Sequence, residues 1–182
     1  MRELAAELAG LAAGSAAEAA DLRRLRRLAA GADPWSRAAP VHVTASAVVV
    51  HPPTGRVLLR WHERMGSWLF VGGHADPGET APLRVALREA AEETGLPDLA
   101  GWPEATDPVP IHVAVVPVPA GRGEPAHEHA DIRYLLATGQ PDTATPESPA
   151  ARLRWHRLPA ALSTVTEANL RLTLQRIEPL LG

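Results

Sequence analysis

Cysteine is absent from the chain. That removes a disulfide framework, a thiolate metal site and a thiol nucleophile, and it fits a reducing compartment, so a cytoplasmic location is expected. An excess of either charge is lacking too: 18 Lys and Arg stand against 21 Asp and Glu, a formal net charge of −3. No global field then draws the molecule toward nucleic acid or anionic lipid, and an anionic partner has to be gripped locally. Without basic tracts, duplex or long RNA is not an expected partner. Long apolar runs are also missing. Residues 1–30 are rich in Ala and Leu, but Glu3, Glu7, Glu18, Asp21 and the Arg23–Arg27 cluster interrupt them, which reads as a soluble helical segment rather than a signal peptide. The stretch Val41–Val50 contains His42, Thr44 and Ser46 and is far shorter than the ~20 residues of a membrane span. No membrane partner is expected.

What is present is the material of one ordinary domain with a terminal extension: 182 residues suffice for an independent core. Leu4, Leu8 and Leu11, then Leu22, Leu25 and Leu28, recur at helical spacing, with Gly14 and Ser15 between the two sets. Asp33-Pro34-Trp35-Ser36-Arg37 and Pro40 read as a turn and linker. The expected division is a helical extension over 1–38 and a main domain over 39–182. Strands are expected at Val41–His51, Arg56–Trp61, Trp68–Val71, Ile111–Pro117, Ala130–Ala137 and Leu153–Leu158, the first two joined as a hairpin by Pro52-Pro53-Thr54-Gly55. Helices are expected near Pro82–Thr94 and Glu167–Leu180, the second with Thr166 as N-cap. The pattern is α/β, a mixed sheet sandwiched by helices. Residues 141–151, rich in Pro and Ala, read as a surface loop.

On the first of those helices Glu89, Glu92 and Glu93 lie at i, i+3 and i+4, so three carboxylates share one face. Leu83, Leu87, Ala90, Ala91 and Thr94 are expected on the opposite, packed side. The acids repel one another, and two of them sit at the negative end of the helix dipole, so a cation is expected beside them. Arg84 and Arg88 offset part of the charge. A hard divalent ion takes oxygen ligands of this kind. A bare cluster of three glutamates is most often a solvated face, but this one follows a glycine-rich loop, Gly72-Gly73-His74-Ala75-Asp76-Pro77-Gly78-Glu79-Thr80, and ends at Gly95. Glycines there admit close approach of the backbone to a ligand, and Gly95 suits a helix C-terminus.

Loop and helix together resemble the Nudix box, G-x5-E-x7-R-E-U-x-E-E-x-G-U, with U aliphatic. Gly73 and Glu79 match its opening, and Arg88-Glu89-Ala90-Ala91-Glu92-Glu93-Thr94-Gly95-Leu96 its close. Eight residues rather than seven separate Glu79 from Arg88, and Pro82 in that interval puts the extra residue in the turn before the helix. The resemblance implies a Nudix α/β/α sandwich over about residues 41–180 and hydrolysis of a diphosphate bond in a small nucleoside diphosphate-X type substrate. It implies Mg²⁺, or Mn²⁺ in its place, on Glu89, Glu92 and Glu93 with the Gly72 carbonyl as an added ligand. Glu89, Glu92 and Arg88 become the catalytic residues, with Glu89 either a ligand or the general base and Arg88 orienting the carboxylates. Gly73 and Glu79 become the supporting loop.

A second constellation is His127-Glu128-His129-Ala130-Asp131-Ile132-Arg133-Tyr134. At strand period His129, Asp131 and Arg133 share one face and Ile132, Tyr134 and Leu136 the other. The readings open to it are a transition-metal site, a segment touching substrate phosphate, and an ordinary polar sheet face; His127, Glu128, His129 and Asp131 are therefore substrate-binding candidates. Trp61 and Trp68 are candidates for the pocket border and either of them for base stacking, while Trp35 and Trp155 read as packing residues. Two other functions compete. An isopentenyl diphosphate isomerase relative is expected to use a cysteine, which this chain lacks. A Nudix-fold ligand-binding regulator without catalysis is expected to have eroded acids, which this chain retains. The N-terminal helices leave a homodimer open.

Overall fold

The computed structural model describes residues 3–121 and 123–181. The N-terminal segment forms α1 (Leu4–Ala9) and α2 (Ala16–Ala29), separated as expected, and the Ser15 hydroxyl accepts the Glu18 N–H at 3.1 Å to cap α2. The sheet is built from β1 (Val41–His51), β2 (Arg56–His62), β3 (Ser67–Leu69), β4 (Val71–His74), β5 (Ala100–Gly101), β6 (His112–Val118), β7 (His127–Ala137) and β8 (Leu153–Arg157). Helix α3 (Pro82–Thr94) follows β4, and α4 (Leu158–Thr164) and α5 (Ala168–Leu181) close the chain. No described helix is long and apolar enough to cross a membrane.

Strand β1 is the axis of the sheet. It pairs in parallel with β7 along nearly its whole length, Val41 beside Glu128 through Val50 beside Ala137. On its other edge two partners share it: β4 runs antiparallel beside Thr44–Ala47, and β2 joins only at Val50 and His51 through the hairpin. This explains one departure from the sequence pattern. The apolar stretch around Trp68–Val71 is two strands, because the chain leaves β2 (Trp61 opposite Trp68) and crosses at Phe70 to the open half of β1. Another departure is α4, where a strand was expected to run to Leu158; Pro159 in its first turn starts a helix instead. Helix α5 opens one residue late: the Arg171 N–H donates to the Glu167 carbonyl, and the Thr166 hydroxyl donates to the Glu167 carboxylate rather than capping.

Side-chain alternation divides two cores. Val43, Ala45, Ala47 and Val49 of β1, with Ile132, Tyr134 and Leu136 of β7, pack against α1, α2 and the Leu83, Val85, Ala86 and Ala90 side of α3. Val48, Val50, Val57, Leu59 and Leu135 pack against α4 and α5. The expected α/β/α sandwich with a mixed sheet and N-terminal helices is the fold observed. Trp35 and Trp155 pack against the first core, the latter donating its indole N–H to the Pro141 carbonyl at 2.9 Å. On α3, Ala91 is exposed and Glu93 buried, the reverse of expectation, because the helix leans its Glu93 edge onto β4.

Helix α2 does more than cover apolar surface. It lies along β6, whose outer edge has no strand partner among the described residues, and there the Val113 and Val115 N–H groups donate to Glu18 (3.4 Å) and Asp21 (3.1 Å). A sheet edge otherwise open to pairing is thereby satisfied. The buried Glu18 carboxylate also holds Arg176 of α5 at 2.5 Å.

Candidate active site

The cavity arises from a change of character along one sheet face. Positions 48 and 50 of β1 are valines in the second core, but 42, 44 and 46 on the same face are His, Thr and Ser. The parallel register sets these beside His129, Asp131 and Arg133 of β7. The polar stripes of two strands thus form the floor of a cavity of about 1170 Å³. In that floor Asp131, buried, accepts from Thr44 (3.1 Å), Ser46 (2.8 Å) and Arg133 (2.8 Å). Arg133 in turn donates to Thr173 and Asn169 of α5.

The acidic helix meets this cavity at the Gly72-Gly73 backbone. A Cβ on Gly73 would stand 2.6 Å from a Glu89 carboxylate oxygen, and one on Gly72, whose φ is +148°, would stand 2.5 Å from the Ser46 Cα. The Glu89 carboxylate approaches β4, and β4 approaches β1, because glycine leaves room. Glu93 accepts the Gly72 N–H at 3.0 Å and faces Arg60 at 3.3 Å, while Arg60 also binds Glu147 from the loop before β8. Burial pushes the Glu93 carboxyl up to about 7 in spite of Arg60 and the Gly72 N–H, and burial raises Glu89 against the pull of Arg88. Glu92 is exposed over 56% of its side chain and meets Arg88 at 3.0 Å. Gly95 ends the helix in the left-handed region at φ 64°.

Arg88 organises the group. It donates to Glu79 (2.9 Å), Glu89 (3.0 Å), Glu92 (3.0 Å) and the His74 carbonyl (2.8 Å), so one guanidinium fixes the loop and two acids. Burial raises the Glu79 carboxyl, but bonds from Arg88 and the Asp76 N–H outweigh it and hold Glu79 below the usual carboxylate range.

Glu89, Glu93, Gly72, Gly73, Trp61, His127, His129 and Asp131 line the cavity. Glu128 does not: one position out of phase with His129, it stands on the opposite face, paired with Arg24 of α2 at 2.5 Å. Trp68 packs against the second core and meets Trp61 edge-on at 5.6 Å. Sequence reasoning passed over Arg37, Arg60 and Arg64, which bring cations to the cavity wall from the linker and the β2 end. Arg64 is held by Glu124 at 2.9 Å and by the Pro119 carbonyl. It also passed over His42 and His74, which join His129 with imidazole nitrogens all within 4.8 Å. Burial and mutual repulsion hold His74 down to about 3 and His129 to about 4, and burial lowers His42.

A glycine strand leading to a helix with three acids on one face, set against a cavity in an α/β/α sandwich, defines a Nudix-type hydrolase of phosphorus anhydrides. The sequence agrees: the NUDIX domain profile matches residues 40–176, and the chain belongs to that family. A NUDIX-family hydrolase of Clostridium perfringens is similar at 25% identity, covering 76% of this chain and 97% of its own, with a TM-score of 0.57. A MutT NUDIX hydrolase of Burkholderia pseudomallei is also 25% identical, covering 75% of this chain and 98% of its own at a TM-score of 0.50. An Ap4A hydrolase of C. elegans, 19% identical, shares the fold over 76% of this chain and 96% of its own at a TM-score of 0.56. No curated protein matches the chain.

Proposed function

We propose that the protein hydrolyses the diphosphate bond of a small nucleoside diphosphate-X type molecule in the cytoplasm, with Mg²⁺, or Mn²⁺ in its place, at Glu89, Glu92, Glu93 and the Gly72 backbone. The observation that carries this reading is the pair of half-buried to buried carboxylates, Glu89 and Glu93, drawn onto a glycine backbone at the edge of a cavity that also presents arginines.

The donor set fits a hard divalent ion. Its ligand atoms are all oxygens, and the carboxyl of Glu93, raised to about 7, is what burial gives an acid whose cationic partners fall short. When bound, such an ion neutralises charge on the bridging oxygens and acidifies a water. The protein's own groups supply the rest. Arg88 holds Glu89 and Glu92 in fixed directions, and Glu79 with Gly73 supports the turn that carries it. Glu89 is either a ligand or the base that takes the proton of the attacking water. Arg64 and Arg37, within reach of the same Glu124, offer cations to the substrate phosphates at the cavity wall, and Trp61 offers a ring for a base. Residues 39–182 form the catalytic unit, and the helices of 1–38 close its β6 edge.

The test is turnover of a panel of nucleoside triphosphates, nucleotide sugars, ADP-ribose and dinucleoside polyphosphates with Mg²⁺, beside Glu92→Gln checked for folding by circular dichroism. Turnover lost in the folded variant and on chelation is the expected result. Tight ligand binding without turnover across the panel overturns it in favour of a regulator.

A further inference from the structure

Four imidazoles converge at the start of the β1–β7 pair. The parallel register places His42 beside His129, and β4 ends with His74 beside Thr44. The Nε2 atoms of His42 and His74 are 3.0 Å apart, and those of His127 and His129 are 3.1 Å apart. Five of the ring pairs stack, tilt or meet edge-on at centroid distances between 4.8 and 5.2 Å.

The outer nitrogens are already anchored. His42 Nδ1 lies 3.0 Å from the Ala39 carbonyl and His127 Nδ1 lies 2.9 Å from the Pro125 carbonyl. A carbonyl oxygen only accepts, so a proton sits on Nδ1 in both rings, and in the neutral ring Nε2 turns a lone pair into the cluster. A backbone carbonyl on the far nitrogen is the usual support of a metal-bound histidine. Imidazole nitrogens at about 2.0–2.1 Å from a tetrahedral ion stand roughly 3.3 Å from one another; the His42–His74 pair, at 3.0 Å, is already near that spacing, and His129, whose nitrogen lies within 4.8 Å of both, has to move inward.

The donors are nitrogens without a carboxylate among them, since Asp131 is taken up by Thr44, Ser46 and Arg133. Imidazole selects zinc, copper and nickel over magnesium. His74, His127 and His129 line the cavity while His42 lies behind them. We propose that His42, His74 and His129 form a transition-metal site of the zinc class, separate from the carboxylate site, with His127 beside them and the remaining position open to the cavity. The two sites touch through His74, whose side chain belongs to the cluster and whose carbonyl accepts from Arg88 at 2.8 Å.

The experiment uses the full chain without a polyhistidine tag, titrated with Zn²⁺ or with Co²⁺ as a spectroscopic probe, in excess Mg²⁺. One Zn²⁺ per chain with nitrogen ligation by X-ray absorption is expected, retained in Glu92→Gln. It weakens at least about tenfold in His74→Ala and in His129→Ala, both on the cavity wall and both checked for folding by circular dichroism. Zinc binding unchanged in the two folded histidine variants, or absent from Glu92→Gln, overturns the proposal. Neither result depends on hydrolysis, so it stands or falls apart from the activity proposed above.

Discussion

Arg88 meets Glu79 at 2.9 Å although eight residues lie between them, one more than the Nudix pattern provides. Residues 80 and 81 remain outside the helix, with Ala81 extended at φ −100° and ψ 109°, and α3 begins at Pro82. The extra residue is accommodated before the helix, so the acid spacing and the guanidinium's reach are both kept. Glu79→Gln is expected to lower metal affinity or kcat/KM by roughly 10–100-fold, the effect of losing a support of metal ligands. The melting temperature should change little. A Mg²⁺ titration of activity beside a thermal melt checks both. Arg88→Lys is not expected to substitute, because an ammonium cannot bind Glu79, Glu89 and Glu92 as a planar fork does.

The adjacent glycines are expected to fail in different ways. The nearest atoms to a methyl at Gly73 are those of the Glu89 carboxylate, the far end of a flexible side chain, at 2.6 Å. Gly73→Ala should fold and melt close to the native protein yet lose activity. A methyl at Gly72 meets the Ser46 Cα and the Ala45 carbonyl of β1 in a backbone conformation at φ +148° that side chains avoid. Gly72→Ala should lose stability first. Urea melts and activity of the pair separate the two outcomes.

His112 provides a pH-dependent share of stability. It is buried, its Nδ1 lying 2.8 Å from the Thr173 hydroxyl, and burial with the nearby Arg133 charge pushes its pKa down to about 4. The folded state thus prefers the neutral ring. Its contribution is complete above the unfolded value of about 6.5 and is lost as pH falls toward the folded value, because the unfolded chain takes up the proton first. Stability measured from pH 7 to 4 should decline, and more shallowly in His112→Gln.

Arg176→Met leaves the Glu18 carboxylate, 2% exposed, without its cation. Breaking a buried pair on one side costs about 3–5 kcal/mol, and a loss of that size in the unfolding free energy from urea denaturation is expected. Glu18→Gln with Arg176→Met should recover part of it.

Much of this was legible in local spacing. The bounds of β1 and α3, the three acids, Gly73 and Gly95 all follow from residues within about two turns or a few strand positions of one another. What escaped required register. His42 and His129 are far apart in the chain and become neighbours only when β1 and β7 pair in parallel. The available signal was the His42-Thr44-Ser46 alternation, which makes one end of a buried strand polar on a single face. Glu128 illustrates the converse: beside His129 in sequence, it is sent to the opposite face by the strand period and serves α2 through Arg24. The division at Phe70 could not be seen from Trp68–Val71 because it answers the vacant edge of β1, a property of the pairing and not of those residues.

Glu18 binds Arg176 of the last helix, the Val113 N–H of the edge strand and the Gly14 N–H of its own segment. Two of these partners are made long after it during synthesis. The first long helix therefore carries a buried carboxylate whose guanidinium partner is made only after the whole sheet. The seat of α2 on the β6 edge is thus tied to α5 through one carboxylate, and a chain that lacks α5 holds that edge, a place open to pairing with other strands, less firmly.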